Sequence, residues 1–270
     1  MSEFSVQFDL APFEVLDQLA LLARQDYNLG DTGDWFGEFR GGLYGFYARL
    51  YGVSFHYAQV HAWLPRPRVP TETEYHLAAL FFCMDSALEC FTFALNALGY
   101  AAHASGFRDV TDEGALRKIK PLDVTGDNSH SPGVAPLTGY AKIFPGVQQH
   151  WQAQSLLISS IRDLHDVSKH RRTIYIGGQA RMDPPEGFYE ALGVPNDSIR
   201  SALFCPMAEI LLKPDPKTPS VTWKPKRRED LELLERLVPE FAGFTEKTGE
   251  LALRDATLTI PLNERQFQTT

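Results

Sequence analysis

The string RDLHDVSKHRR, Arg162 to Arg172, brings two imidazoles, two carboxylates and four cations into eleven residues. On a helix turning about 100° per residue, Asp163 and His170 fall within roughly 20° of one stripe. Arg162 precedes Asp166 by one turn, and Asp166 precedes His170 by one turn, so these side chains adjoin. A carboxylate near His170 can orient its ring and favour its protonated form. Arg162, Lys169, Arg171 and Arg172 can attract an anion such as phosphate. Proton transfer beside a phosphate needs that combination. A plainer account fits the same residues: cations at a helix C-terminus complement its dipole, and Asp166 pairs with them. A metal site built from Asp163, Asp166 and His170, with Asp85 or Glu89 on another helix, is the weakest reading. It lacks ligands at metal-site spacing, and the surrounding cations oppose a divalent ion. No metal and no cofactor is expected.

Other catalytic motifs are missing. The chain has no G-x-S-x-G nucleophile elbow, no G-x-x-x-x-G-K-[ST] phosphate loop and no H-E-x-x-H pair. His56, His61, His76, His103, His130 and His150 show no mutual spacing that demands a metal. Each is expected to be a hydrogen-bonded or solvent-facing histidine. The glycine- and aromatic-rich segment 30–52 could line an apolar pocket for a small molecule, but core packing accounts for it with fewer assumptions.

The elements that must position the 162–172 cluster are mainly helical. Residues 11–25 have helical spacing through Phe13, Val15, Leu16, Leu19 and Leu22. Segment 36–50 reads as a helix weakened by glycine, and 51–63 is open between strand and helix. PRPRVP at 65–70 marks a break, after which Thr71 and Glu74 stand at capping-box spacing. From Tyr75 to Leu98 apolar residues recur at intervals of three and four, with Gly99 as the expected stop. This helix is apolar over more than one stripe, which places it centrally in a bundle. Residues 100–145 read as a long irregular connection with a short helix near 112–118. A second strong helix covers about 147–172 and carries the charged cluster at its end. TIYIGG, 173–178, and 204–213 favour strands, and KPDPKTPSVTWKPKRRED, 213–230, reads as a proline-broken connection. A last helix starts near Arg228, with Pro239 able to kink it. In the tail, ATLTI favours a strand while LALRDA could continue the helix.

Composition sets the scale. Of 270 residues, 44% are hydrophobic and 22% charged, which excludes a disordered chain and allows a sizeable core. The net charge of −8 opposes broad, non-specific nucleic-acid binding but leaves room for a local basic site. Three cysteines do not make a disulfide framework and fit a reducing compartment. The N-terminus lacks the pattern of a signal peptide. The richest apolar stretch is broken by Asp85, Glu89 and Asn96, a poor membrane span. A cytoplasmic location without a membrane partner is expected.

The helix FFCMDSALECFTFALNALG, followed after a long insertion by a helix ending IRDLHDVSKHRR, resembles the HEPN superfamily. Within it, the chain looks like bacterial proteins whose second bundle helix ends in an Asp-x-x-Lys-His string. The resemblance spans 71–172 and extends to the helix after 228. It implies an α-helical bundle, often dimeric. Some members are metal-independent endoribonucleases of stress response or host defence, with an R-x4–6-H site. Carried over, His170 is the general base or acid that activates a ribose 2′-hydroxyl. Arg162 is the phosphate-stabilising group, and Asp163 matches the polar residue that follows the motif's arginine. His165, Asp166, Lys169, Arg171 and Arg172 would support the site or bind phosphate.

The match departs from the motif in spacing, because seven residues, 163–169, separate Arg162 from His170. On a continuous helix the two lie about 12 Å apart along the axis and about 80° around it. A long arginine side chain or a second protomer has to close that gap. Many relatives with divergent sites are non-catalytic.

The expectation is a mainly α, HEPN-like helical bundle elaborated by long loops and a few short β-strands. It forms a single elaborated domain, 1–270, with the bundle core in 71–172 and about 228–250. Residues 1–65 make an N-terminal helical and aromatic extension, and 100–145 an insertion or long loop. The expected function is metal-independent RNA cleavage or nucleic-acid processing, with RNA and a second copy of the chain as partners. The alternative is a non-catalytic helical interaction or scaffold protein that binds another protein.

Overall fold

In the computed structural model, which describes residues 6–25, 34–63, 70–126, 137–170, 208–213, 220–225 and 229–260, nearly every element is a helix. In chain order these are α1 (Ala11–Gln25), α2 (Trp35–Trp63), α3 (Pro70–His103), α4 (Glu113–Leu116), α5 (Pro121–Thr125), α6 (Gly139–Ile143), α7 (Pro145–Ala153) and α8 (Ser155–His170). Two strands follow, β1 (Ala208–Lys213) and β2 (Ser220–Pro225), and then α9 (Glu229–Thr259). The fold is a mainly α-helical bundle with one two-stranded antiparallel sheet. Ala208 in that sheet pairs with Pro225, and Lys213 with Ser220.

The chain divides into two units. One gathers Met1–Val6, Val53–Phe82 and Ile161–Pro239; the other gathers Gln7–Gly52, Cys83–Ser160 and Glu240–Thr270. Helix α2 runs through 51–63, the segment that sequence left open. Its glycines are the reason that α2 and α3 can approach so closely. A Cβ on Gly42 would stand 2.7 Å from the backbone nitrogen of Ala94, and one on Gly52 would stand 2.6 Å from the Cys83 sulfur. Gly42, Gly45 and Gly52 share one face of α2, so the sequence's apparent helix breakers form the contact surface with α3. Beside them Phe13, Phe46 and Phe91 join α1, α2 and α3, with ring centroids 4.9–5.2 Å apart. All three rings are buried. Pairs at this spacing add to the burial of their area.

Gly99 does not stop α3, which continues to His103. The Phe107 ring lies directly over Gly99, where any Cβ would collide with it. Close packing, not helix termination, accounts for that glycine. By length and composition the stretch Tyr75–Gly106 could cross a membrane, yet 67% of its most apolar window is buried within the protein. Its Thr92 and Asn96 are fully buried, and both are hydrogen-bonded.

The region 100–145 is shorter in irregular chain than its composition indicates. It holds α4 where a short helix was expected, and also α5 and α6. Arg108 ties it together through two bonds to Asp123, at 2.8 and 3.3 Å. Asn96 exchanges two bonds with the Arg108 backbone, each 2.9 Å. The expected helix over 147–172 is two helices, α7 and α8, separated at Gln154, whose φ of −103° and ψ of 19° leave the helical region. The tail ATLTI is helical as far as Thr259. Ala252, Asp255 and Ala256 bury one stripe of α9, and the hydroxyls of Thr257 and Thr259 bond back to helix carbonyls. Tertiary burial thus overrides the strand preference of threonine and isoleucine. Pro239 lies inside α9 without ending it.

Strand β1 falls within 204–213 as expected. Strand β2 falls in the stretch read as a proline-broken connection, where Ser220 to Trp223 supply a strand's alternation. TIYIGG at 173–178 lies outside the described residues.

Candidate functional site

The charged cluster is carried by α8, an amphipathic helix whose inward face is set by Leu157, Ile158 and Ile161, all buried. One turn beyond Ile161 that inward stripe reaches His165. The ring is only 8% exposed and stands edge-on to Phe82, with centroids 5.5 Å apart. Ser168 donates its hydroxyl to the His165 carbonyl at 2.9 Å. The sequence reading placed His165 in the polar cluster as a supporting or phosphate-binding residue. The structure buries His165 and leaves Leu164 half-exposed. The reason is the four-residue step from Ile161, which places His165 on the buried stripe.

Arg162 and Asp163 follow Ile161 immediately and are exposed, as is Lys169; Asp166 is half-buried. Among the described residues, no salt bridge joins Arg162 to Asp163 or Asp166. Arg162 and Lys169 therefore present their charges outward from adjoining positions on the helix surface. His170 is the last residue of α8, and its side chain lies outside the described residues. Arg171 and Arg172 also lie outside them. The helix is continuous from Ser155 to His170, so the separation expected for Arg162 and His170 holds: about 12 Å along the axis and about 80° around it.

Another group of ionisable side chains, spread over different helices, was not legible in the sequence. His56 on α2 and His76 on α3 meet with their Nδ1 atoms 3.0 Å apart and their ring centroids at 5.3 Å. Burial, and for His56 the charge of its neighbour, lowers the proton affinity of both. Glu72, one turn before His76, acts in the opposite direction on that ring. The two histidines lie twenty positions apart in sequence, so no local spacing could announce the pair. The amphipathic patterns of α2 and α3 could have placed each on a helix face, but not opposite the other.

Among the described residues, no three imidazole, carboxylate or thiolate groups converge in a ready-made metal site. Neither Cys83 nor Cys90 is suited to nucleophilic work. Both are free thiols, and burial pushes their proton affinity up, away from the reactive thiolate.

No protein-family model, curated protein or solved structure matches the chain.

Proposed function

We propose that the chain is a HEPN-like, metal-independent endoribonuclease that works as a dimer. The observation that supports this reading is the exposure of Arg162 and Asp163 on the same helix that ends at His170. A residue that holds phosphate must reach solvent, and Arg162 does. Arg162 and Lys169 also concentrate positive charge in a protein of net charge −8, as a local anion site requires.

In the proposed reaction, His170 accepts the proton of a ribose 2′-hydroxyl as that oxygen attacks the adjacent phosphorus. Arg162 holds the charge gathering on the phosphate oxygens; the P–O5′ bond breaks, the 5′-oxygen takes a proton from water, and the proton on His170 returns to solvent. The products are a 2′,3′-cyclic phosphate and a 5′-hydroxyl end. Proton transfer and charge stabilisation suffice for this step. The separation of Arg162 from His170 is the reason for the dimer: His170 of one protomer would act with Arg162 of the other. Native chain and His170→Ala are compared on a broad RNA panel with chelator present. The reading expects cleavage by the native chain and a loss of about 100-fold or more in the variant. Unchanged cleavage by His170→Ala removes that residue from the mechanism.

A second reading, a non-catalytic helical interaction module, has its own observation. Phe55 and Tyr75 are 45% and 65% exposed, large rings for a solvent-facing surface. Light scattering on Phe55→Ser and Tyr75→Ser tests it: loss of self-association or of a partner in both variants, with no RNA cleavage by the native chain, favours this reading.

A further inference from the structure

His56 and His76 are the two residues whose placement reaches beyond the RNA reading. They belong to one unit of the chain, on the C-terminal half of α2 and the N-terminal half of α3. Their Nδ1 atoms face each other at 3.0 Å, a hydrogen-bond distance that a neutral pair fills with one proton donated by either ring. Both rings are partly exposed, and solvent ions can reach them. Phe55 and Tyr75 pack edge-on to them, at 5.1 Å from His56 and 5.2 Å from His76 respectively. Glu72 lies one turn before His76, and its Oε2 is a buried carboxylate oxygen with no hydrogen-bond partner.

We propose that His56 and His76 form a binding site for a divalent transition ion of the zinc class, with Glu72 as the adjacent carboxylate. The distances carry the argument. Imidazole nitrogen binds such ions at about 2.0–2.1 Å. At the present Nδ1–Nδ1 separation of 3.0 Å an ion about 2.0–2.1 Å from both nitrogens subtends about 94°, and opening the separation to about 3.4 Å brings the angle near tetrahedral. Each ring only has to turn out of the line of the shared hydrogen bond. Two neutral imidazoles suit zinc, cobalt or copper and do not suit calcium or magnesium. Water completes the coordination, and the unsatisfied Glu72 oxygen supplies a negative charge and an acceptor beside it.

The proton balance is simple. The neutral pair holds one proton between its Nδ1 atoms. On metal binding that proton is lost to solvent, and the Nε2 of the same ring takes one up. Both rings then bind as neutral imidazoles, with no net release above a pH of about 6.5.

The test is titration of the untagged full chain with Co2+, followed by its visible absorption, and with Zn2+ by calorimetry. One saturable equivalent is expected, with tetrahedral cobalt bands. His56→Gln and His76→Gln should each weaken it at least tenfold, and the double variant should remove it. Glu72→Gln should weaken it by a smaller factor, while His103→Gln, a substitution outside the pair, should leave it unchanged. Circular dichroism verifies that the variants retain their helices. Absence of saturable binding below millimolar metal overturns the proposal, as does equal affinity in the native chain and the double variant. The RNA assay, run with chelator, gives the same result in either case, so the two proposals fail separately.

Discussion

His165 stands edge-on to Phe82, its ring centroid 5.5 Å away, and at 8% exposure it belongs to the buried stripe rather than to the charged face of α8. The two histidines of RDLHDVSKHRR are therefore not equivalent. Replacing His165 with alanine should cost about 1–3 kcal/mol, because it removes a buried ring and its packing. Replacing Arg162 should change stability by no more than about 0.5 kcal/mol, since its side chain is exposed. Urea denaturation of the two variants distinguishes them; equal stabilities would mean that His165 is not a core residue.

Asp255 provides a second stability test. Its side chain is 2% exposed, and Oδ2 accepts the backbone N–H groups of Gly146 and Val147 at 2.6 and 3.1 Å. A carboxylate on α9 thus caps the first turn of α7, where two donors would otherwise be buried without acceptors. Asp255→Ala should cost about 2–4 kcal/mol. Asp255→Asn should recover part of that, because an amide oxygen still accepts. Thermal melts of the two variants test the order; an alanine variant as stable as the native chain would contradict it.

Neighbouring glycines on α2 should respond in opposite directions. Nothing lies within 4 Å of a Cβ built on Gly41, so Gly41→Ala should stabilise the protein by about 0.5–1 kcal/mol through helix propensity alone. At Gly42 the same methyl meets the backbone of α3, so Gly42→Ala should lower the melting temperature. Two shifts of the same sign would show that propensity, not the contact of α2 with α3, governs both positions.

Stability should also depend on pH through the histidine pair. His56 and His76 hold a proton less tightly in the folded chain than when unfolded, mainly because they are partly buried. The unfolded chain then binds more protons, so stability rises with pH in that window. The contribution is complete above the unfolded value of about 6.5 and is lost as pH falls through the lower folded values. Between pH 7.5 and 5.5 the melting temperature should fall, and the double variant His56→Gln, His76→Gln should fall less. An equal slope in both proteins would contradict the assignment.

The sequence and the structure agree where periodicity carries the signal. The helix read over 11–25 is α1, and the strong apolar helix from Tyr75 is the body of α3. They differ where a residue has two uses. Gly99 looks like a helix stop but makes room for the Phe107 ring, and the glycines of α2 make room for α3. Threonines in ATLTI favour a strand locally, yet burial of Ala256 and Ile260 keeps α9 helical to Thr259. Gln154 breaks α7 from α8 with no proline or glycine to announce it. At the candidate site, helical spacing placed Arg162 and Asp163 outward. It put Ile161 on the apolar side but assigned His165 to the polar cluster, where the structure continues the buried stripe from Ile161 to His165. The facing of His56 and His76 depends on how two helices pack, which no local pattern encodes.

The central claim is a composite site in which Arg162 of one protomer acts with His170 of another. It is tested most directly by mixing two inactive proteins, Arg162→Ala and His170→Ala, in a metal-free RNA cleavage assay. Each variant alone should lose about 100-fold or more in rate. Random mixing makes half the dimers heterodimers, each with one intact site, so the mixture should regain up to about a quarter of the native rate. If both single variants are inactive and the mixture remains so, the two residues do not act across a dimer. If either variant cleaves RNA at the native rate, that residue has no part in the reaction.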